Sequence, residues 1–121
     1  MVLGTYSYVD IFHTNRRNET INDASSYLDL APLYGNSQEA QNKVRTGRDG
    51  MLKPDTFSEK RLLAFPPGVN VMLVMYSRFH NYAAQTLAAI NQGGRFTPSR
   101  HLSPEEGLKW RDEQLFQVAR L

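Results

Sequence analysis

The chain has no cysteine in its 121 residues. That excludes a disulfide framework, a thiolate nucleophile, a zinc–thiolate site and a cysteine-ligated haem or iron–sulfur cluster. There is also no run of about eighteen apolar residues and no charged, apolar, small-residue leader, so neither a membrane span nor a secretory signal is expected. The location read from the sequence is cytoplasmic, at most peripheral to membranes or lipid bodies. Charge of one sign is scarce as well. The formal net charge is +2, and the adjacent pairs Arg16 with Arg17 and Lys60 with Arg61 do not make the basic patch that nucleic-acid binding needs. Glycine-rich phosphate loops, an H-E-x-x-H arrangement, an EF-hand loop and a nucleophile elbow are absent too.

What is present suits one modest domain or a piece of a larger one, with 40% apolar residues to build a core. Residues 25–36, SSYLDLAPLYGN, place a lone carboxylate, Asp29, among Tyr27, Leu28, Leu30, Pro32, Leu33 and Tyr34. A carboxylate removed from water there must be neutral or partnered. Asp10 and Asp29 together could neutralise a divalent ion, with the Ser25 hydroxyl and main-chain carbonyls near Tyr27 completing an oxygen shell of the kind calcium takes. In the alternative, Asp29 caps a turn and Asp10 is exposed.

Residues 9–14 read as the end of a helix or a short strand, and 16–23 as a loop. Asn36 with Glu39 resembles a capping box ahead of a helix over 38–46, which has few apolar residues and should be largely exposed. The Asp49-Gly50 pair predicts a turn with at most a small hairpin. Phe65-Pro66-Pro67-Gly68 is a stiff lead-in that cannot be helix interior. Residues 69–90 contain no glycine or proline and predict one helix about 33 Å long. Its first half, 71–76, is apolar on every side and is expected to be buried all round. Its second half is amphipathic through Phe79, Tyr82, Ala83, Leu87 and Ile90. The rest of the chain has too few neighbours to cover such a helix, so the core looks incomplete. Gly93, Gly94 and Pro98 end it. Ser103, Pro104 and Glu106 then supply the cap, N1 and N3 of a closing helix from Pro104 to the terminus. That helix should bury Leu108, Leu115, Phe116 and Ala119 and continue past Leu121, where nothing stops it. Of the three histidines, His80 reads as a hydrogen-bonded structural residue and His101 as solvated, while His13 fits either a surface or a pocket.

SSYLDLAPLYGNSQEAQNKVRTGRDGMLKPD, then FPPGVNV, RFHNYAAQTLAAIN and DEQLFQVARL, in this order, resemble the haem peroxidase/dioxygenase domain of fungal fatty-acid oxygenases. These are the psi-factor-producing oxygenases and linoleate diol synthases, relatives of cyclooxygenase and the animal haem peroxidases. The resemblance covers residues 10–121 and leaves 1–9 as an atypical start. It implies a mainly α, partial animal-haem-peroxidase-like helical domain with long loops, the whole chain being a single fragment of it. It also implies haem b held between two histidines, an unsaturated fatty acid and dioxygen as substrates, a P450-like domain in many members, and a possible homo-oligomer. By matching, Val9 stands where the family has its distal histidine, so acid–base function at that position is not expected. The proximal histidine and radical tyrosine would lie beyond Leu121. Thr14 and His13 would flank the haem edge. Asp10, Ser25, Tyr27 and Asp29 would match calcium ligands, with Ala31 in place of a further hydroxyl. The resulting expectation is a fragment of a haem-dependent linoleate dioxygenase that is inactive alone. The competing one is a small helical calcium-binding or interaction module.

Overall fold

The computed structural model describes residues 17, 18, 20, 21, 30–64 and 66–120. Its described part is mainly helical, as expected, with α1 at Ala31–Tyr34, α2 at Gln38–Val44, α3 at Pro67–Ile90 and α4 at Pro104–Arg120. Short 3₁₀ turns occupy Lys60–Ala64 and Gln92–Gly94. Among the described residues the isolated pairing of extended backbone is one antiparallel bridge between Arg45 and Leu52.

Local chemistry accounts for the element ends. Proline in the first turn of α1 loses no helical hydrogen bond, and Gly35 at φ 92° then turns the chain. The cap of α2 is Ser37 and not the expected Asn36: its backbone is extended, and its Oγ accepts the Ala40 N–H at 3.2 Å. The helix also stops at Val44, short of Thr46, because Thr46 is engaged elsewhere. Its N–H and its Oγ each donate to the Met51 carbonyl at 2.9 Å. Between them the chain reverses at Asp49 and Gly50, with φ 51° and 69°, and the Met51 N–H donates to the Arg48 carbonyl at 3.2 Å. Two consecutive positive φ values are what a type I′ turn requires, so the turn expected at Asp49-Gly50 is formed, and the single Arg45–Leu52 bridge makes of it a minimal hairpin.

The stiff lead-in to α3 is used more fully than expected. Pro67 and Gly68 form the first turn itself, where a missing N–H does no harm. Asn91 closes α3 in the left-handed region at φ 38°, its N–H donating to the Leu87 carbonyl at 2.9 Å. Its side chain fixes the following loop, accepting from the Phe96 N–H at 2.9 Å and donating to Thr97 Oγ1 at 3.0 Å. α4 opens with the expected capping box: Ser103 Oγ accepts the Glu106 N–H at 3.3 Å, and Glu106 Oε2 accepts the Ser103 N–H at 3.1 Å.

The core gathers Leu33, Tyr34, Val44, Leu52, Leu62, Leu73 and Phe116, with Leu30, Phe57 and Val69 packed against it. Two burial expectations are corrected. Residues 71–76 are not buried all round: Val71 is 55% and Met75 64% exposed, and Phe79, Tyr82 and Ile90 also face solvent. α3 buries Leu73, Ser77, His80 and Ala84 instead, a stripe at helical spacing. The described neighbours cover one side of α3, and hydrophobicity alone did not specify which. In α4, Gly107 lies against Pro98, which turns the next residue, Leu108, out to solvent. The buried residues are Gly107, Asp112, Leu115 and Phe116, with Ala119 partly covered. No described helix is long and apolar enough to cross a membrane.

Candidate functional site

Val9, Asp10, His13, Thr14, Ser25, Tyr27 and Asp29 lie outside the described residues. Among the described residues no group of three or more His, Cys, Asp or Glu is placed to hold a metal ion. The chemistry that is visible centres on the hairpin between α2 and the core, where α3 and α4 converge on its backbone.

His80, 1% exposed on the buried stripe of α3, lies with Nε2 2.8 Å from the Gly50 carbonyl oxygen. A carbonyl only accepts, so Nε2 carries the proton and Nδ1 is left as an acceptor. Nδ1 is 2.9 Å from the Tyr34 hydroxyl, which therefore donates. Burial raises the Tyr34 phenol above its ordinary value, opposed by the nearby charge of Arg120, so a neutral donor is what the geometry needs and what the environment enforces. Burial likewise pushes His80 below its ordinary value. The Gly50 bond works against this shift, and the positive charges of Arg45 and Arg120 add to it. The next residue of α3, Asn81, clamps Leu52, accepting its N–H at 2.7 Å and donating to its carbonyl at 3.0 Å.

From the other side α4 presents Asp112, whose Oδ1 accepts the Gly50 N–H at 2.7 Å. Its Oδ2 pairs with Arg45 Nη2 at 2.6 Å, while Arg45 Nη1 reaches Glu113 Oε2 at 2.6 Å. Arg45 and Asp112 have side chains only 7% and 8% exposed. The guanidinium also lies 4.1 Å from the centre of the Phe116 ring, a cation–π contact strengthened by desolvation. Tyr34, His80 and Phe116 meet edge-on or tilted, with centroids 5.3–5.8 Å apart. Both Gly50 backbone groups are thus consumed, its N–H by α4 and its carbonyl by α3.

Both His80 nitrogens have partners and Arg45 is spent on two carboxylates, while the Asp112 and Glu113 side of the cluster borders an open cleft of about 500 Å³ that Thr46 and Lys109 also line. Its hydrogen bonds position the hairpin against α3 and α4. The expectation that His80 is a hydrogen-bonded structural histidine holds. Sequence reading missed Arg45 with Asp112, and Tyr34 with His80. These partners stand 67 and 46 residues apart, and no local spacing joins them.

The cluster carries a pH consequence. The unfolded histidine titrates near 6.5, whereas the folded one is held lower. As pH falls from about 6.5 toward the folded value the unfolded chain binds the proton first, so stability is full above this window, declines across it by at most about 1.4 kcal/mol per pH unit and levels off below it. Denaturant midpoints across this range should fall for the wild type and lie flatter for His80→Gln. An equal slope in the variant would contradict the assignment.

With this geometry in view, the comparisons with known proteins are specific. The animal haem peroxidase family model matches residues 7–70, more than half of the chain, and the chain belongs to that family. It is 53% identical over 121 residues to a linoleate diol synthase of Gaeumannomyces graminis, covering 98% of this chain and 10% of that protein. It is 57% identical over 116 residues to a linoleate 10R-lipoxygenase of Aspergillus fumigatus and 54% identical over 112 residues to psi-producing oxygenase A of Emericella nidulans, each covering 93% of this chain and 10% of the relative. The chain thus spans about a tenth of the length of the curated relatives it matches. No solved structure gives a significant match.

The family implies haem, and neither described histidine is set in a site for an axial ligand. His80 has both nitrogens committed to the protein, and His101 is exposed on a loop.

Proposed function

We propose that this chain is a segment of a cytoplasmic, haem-dependent fungal fatty-acid dioxygenase of oxylipin formation, and that it contributes scaffold and not chemistry. The substrates of the whole enzyme are an unsaturated fatty acid such as linoleate and dioxygen. The observation that carries this reading is identity of 53–57% across nearly the whole chain to relatives named for linoleate oxidation. The closed hydrogen bonding of the buried cluster supports the second half, since a positioning device needs every donor and acceptor satisfied. Haem b, where bound, supplies the oxidising chemistry, and the protein supplies placement. Asp10, Ser25, Tyr27 and Asp29 belong to this reading as oxygen ligands of a calcium ion, supported by the resemblance of residues 25–36 to the family's loop. Thr14 and His13 belong to it as haem-edge residues.

A graft tests it. Residues 10–121 replace the matching segment of the linoleate diol synthase relative, leaving that enzyme's own residue at the position matching Val9. Oxygen uptake with linoleate is expected within about tenfold of the parent. A folded, haem-loaded chimera without uptake would overturn the parentage. The isolated chain mixed with haemin and linoleate should form no hydroperoxide, and turnover there would overturn the scaffold assignment.

A further inference from the structure

From the loop after α3 into the first turn of α4, no residue between Thr97 and Glu106 is buried. Leu102, 38% exposed, is the single large apolar side chain there, and the others are polar, charged or proline, so the segment asks for no apolar cover. It also holds the two hydroxyl–proline pairs of the sequence, Thr97-Pro98 and Ser103-Pro104. Their surroundings differ. Thr97 has a cation, Arg100, three residues on, where Ser103 has a carboxylate, Glu106. Ser103 is also occupied, its hydroxyl donating to Glu106 Oε2 at 2.7 Å. Thr97 Oγ1 instead accepts, from Asn91 Nδ2 at 3.0 Å, and that bond leaves its own proton unspent. Phe96, 3% exposed, anchors the chain just before Thr97. Beyond it the backbone is tied by local bonds, from the Leu102 N–H to the Ser99 carbonyl at 3.1 Å and from the His101 N–H to Ser99 Oγ at 3.5 Å. Exposed local bonds of this kind open at little cost.

We propose that Thr97 is a phosphorylation site for a proline-directed serine/threonine kinase, a modification that goes beyond the reading above. A kinase cleft that selects proline offers no acceptor to the N–H of the residue after the hydroxyl, and Pro98 has no N–H to leave unsatisfied. An acidic patch further along such a cleft takes Arg100, since charge pattern is one way kinases sort their substrates. Transfer joins Thr97 Oγ1 to the γ-phosphorus of a nucleoside triphosphate, breaks the bond from that phosphorus to its bridging oxygen, and passes the hydroxyl proton to the kinase's catalytic carboxylate. Nucleoside diphosphate leaves. The product sets a charge of about −2 between Arg95 and Arg100, both exposed, beside the Asn91 amide that already meets Oγ1. Charge-assisted bonds from these groups to the phosphate oxygens then tie down the loop that joins α3 to α4.

Incubation of the full chain with ATP and a purified cyclin-dependent kinase, followed by mass spectrometry, tests this. The expected product carries about one phosphate per chain, at Thr97, with Pro98→Ala and Arg100→Glu each slowing incorporation by about tenfold or more. Tryptic cleavage after Arg100 should be about fivefold slower in the phosphorylated chain, its guanidinium being held by the phosphate. Thr97→Ala should remove the label with helicity unchanged. If that variant loses helicity, Thr97→Ser replaces it, and the label is expected as phosphoserine at the same position. No incorporation into the folded chain, label confined to Ser103, or a Pro98→Ala chain labelled as fast as the wild type would each overturn the site, and cleavage at an unchanged rate would overturn the pairing with Arg100.

Discussion

Replacing Arg45 with alanine is expected to destabilise the fold by about 3–5 kcal/mol, the cost of stranding one member of a buried ion pair. Asp112, about 8% exposed beside Arg45, would be left with Oδ2 facing no guanidinium, and its carboxylate cannot swing to water without giving up the 2.7 Å bond from the Gly50 N–H. Phe116 would lose the guanidinium stacked on its ring, and a cavity would open between the hairpin and α4. Arg45→Met, which refills the volume, should lose less only when combined with Asp112→Asn, because that pair removes both charges together and keeps an acceptor for the Gly50 N–H. A double-mutant cycle in urea measures this coupling. Near-additive losses would show that the two residues act separately, against the geometry described above.

Gly50→Ala is the second large expected loss, about 3 kcal/mol or more from strain at positive φ added to overpacking. Gly50 has φ 69°, and a Cβ built on it would fall onto the Phe116 amide nitrogen and the Leu115 backbone. These are main-chain atoms in the middle of α4, so no rotamer change relieves the clash. The hairpin would have to lift away, and with it the Gly50 carbonyl bonded to His80 and the Gly50 N–H bonded to Asp112. Gly47, with a similar φ of 72° but open space around the site of its Cβ, is the matched control. Gly47→Ala should cost only the conformational part, about 1 kcal/mol. Thermal unfolding of the two variants side by side separates close approach from backbone preference. Equal losses would mean that the contact with α4 is unimportant.

Wherever a feature was encoded by near neighbours, it could be read in the sequence. The Asp49-Gly50 turn, the long helix ended ahead of Gly93 and Gly94, and the Ser103–Glu106 cap each follow from residues within about one turn of one another. Near-neighbour signals still compete: Asn36 and Ser37 both suit a helix cap, and the extended backbone at Ser37 with its reach to Ala40 decided between them. What could not be read was the direction of burial. α3 is apolar on two faces, so its hydrophobic pattern fits burial on either, and only α4 and the hairpin select the stripe through His80. Arg45 and Asp112 left no trace at all. Each looks like an ordinary solvated charge until the fold brings them together, and the desolvated pair is a property of that meeting. Asp10, Ser25, Tyr27 and Asp29, on which the metal-ion expectation rested, fall outside the described residues, so that expectation passes into the proposal unaltered.

The central claim is that Gly50 is held from both sides, by a neutral His80 donating through Nε2 and by Asp112 accepting its N–H. Nitrogen-15 NMR of the His80 ring near neutral pH tests it most directly. The predicted spectrum shows a protonated Nε2 protected from solvent exchange and an unprotonated Nδ1 shifted by the hydrogen bond from Tyr34. An imidazolium, the opposite tautomer, or a ring proton exchanging freely with water would contradict it.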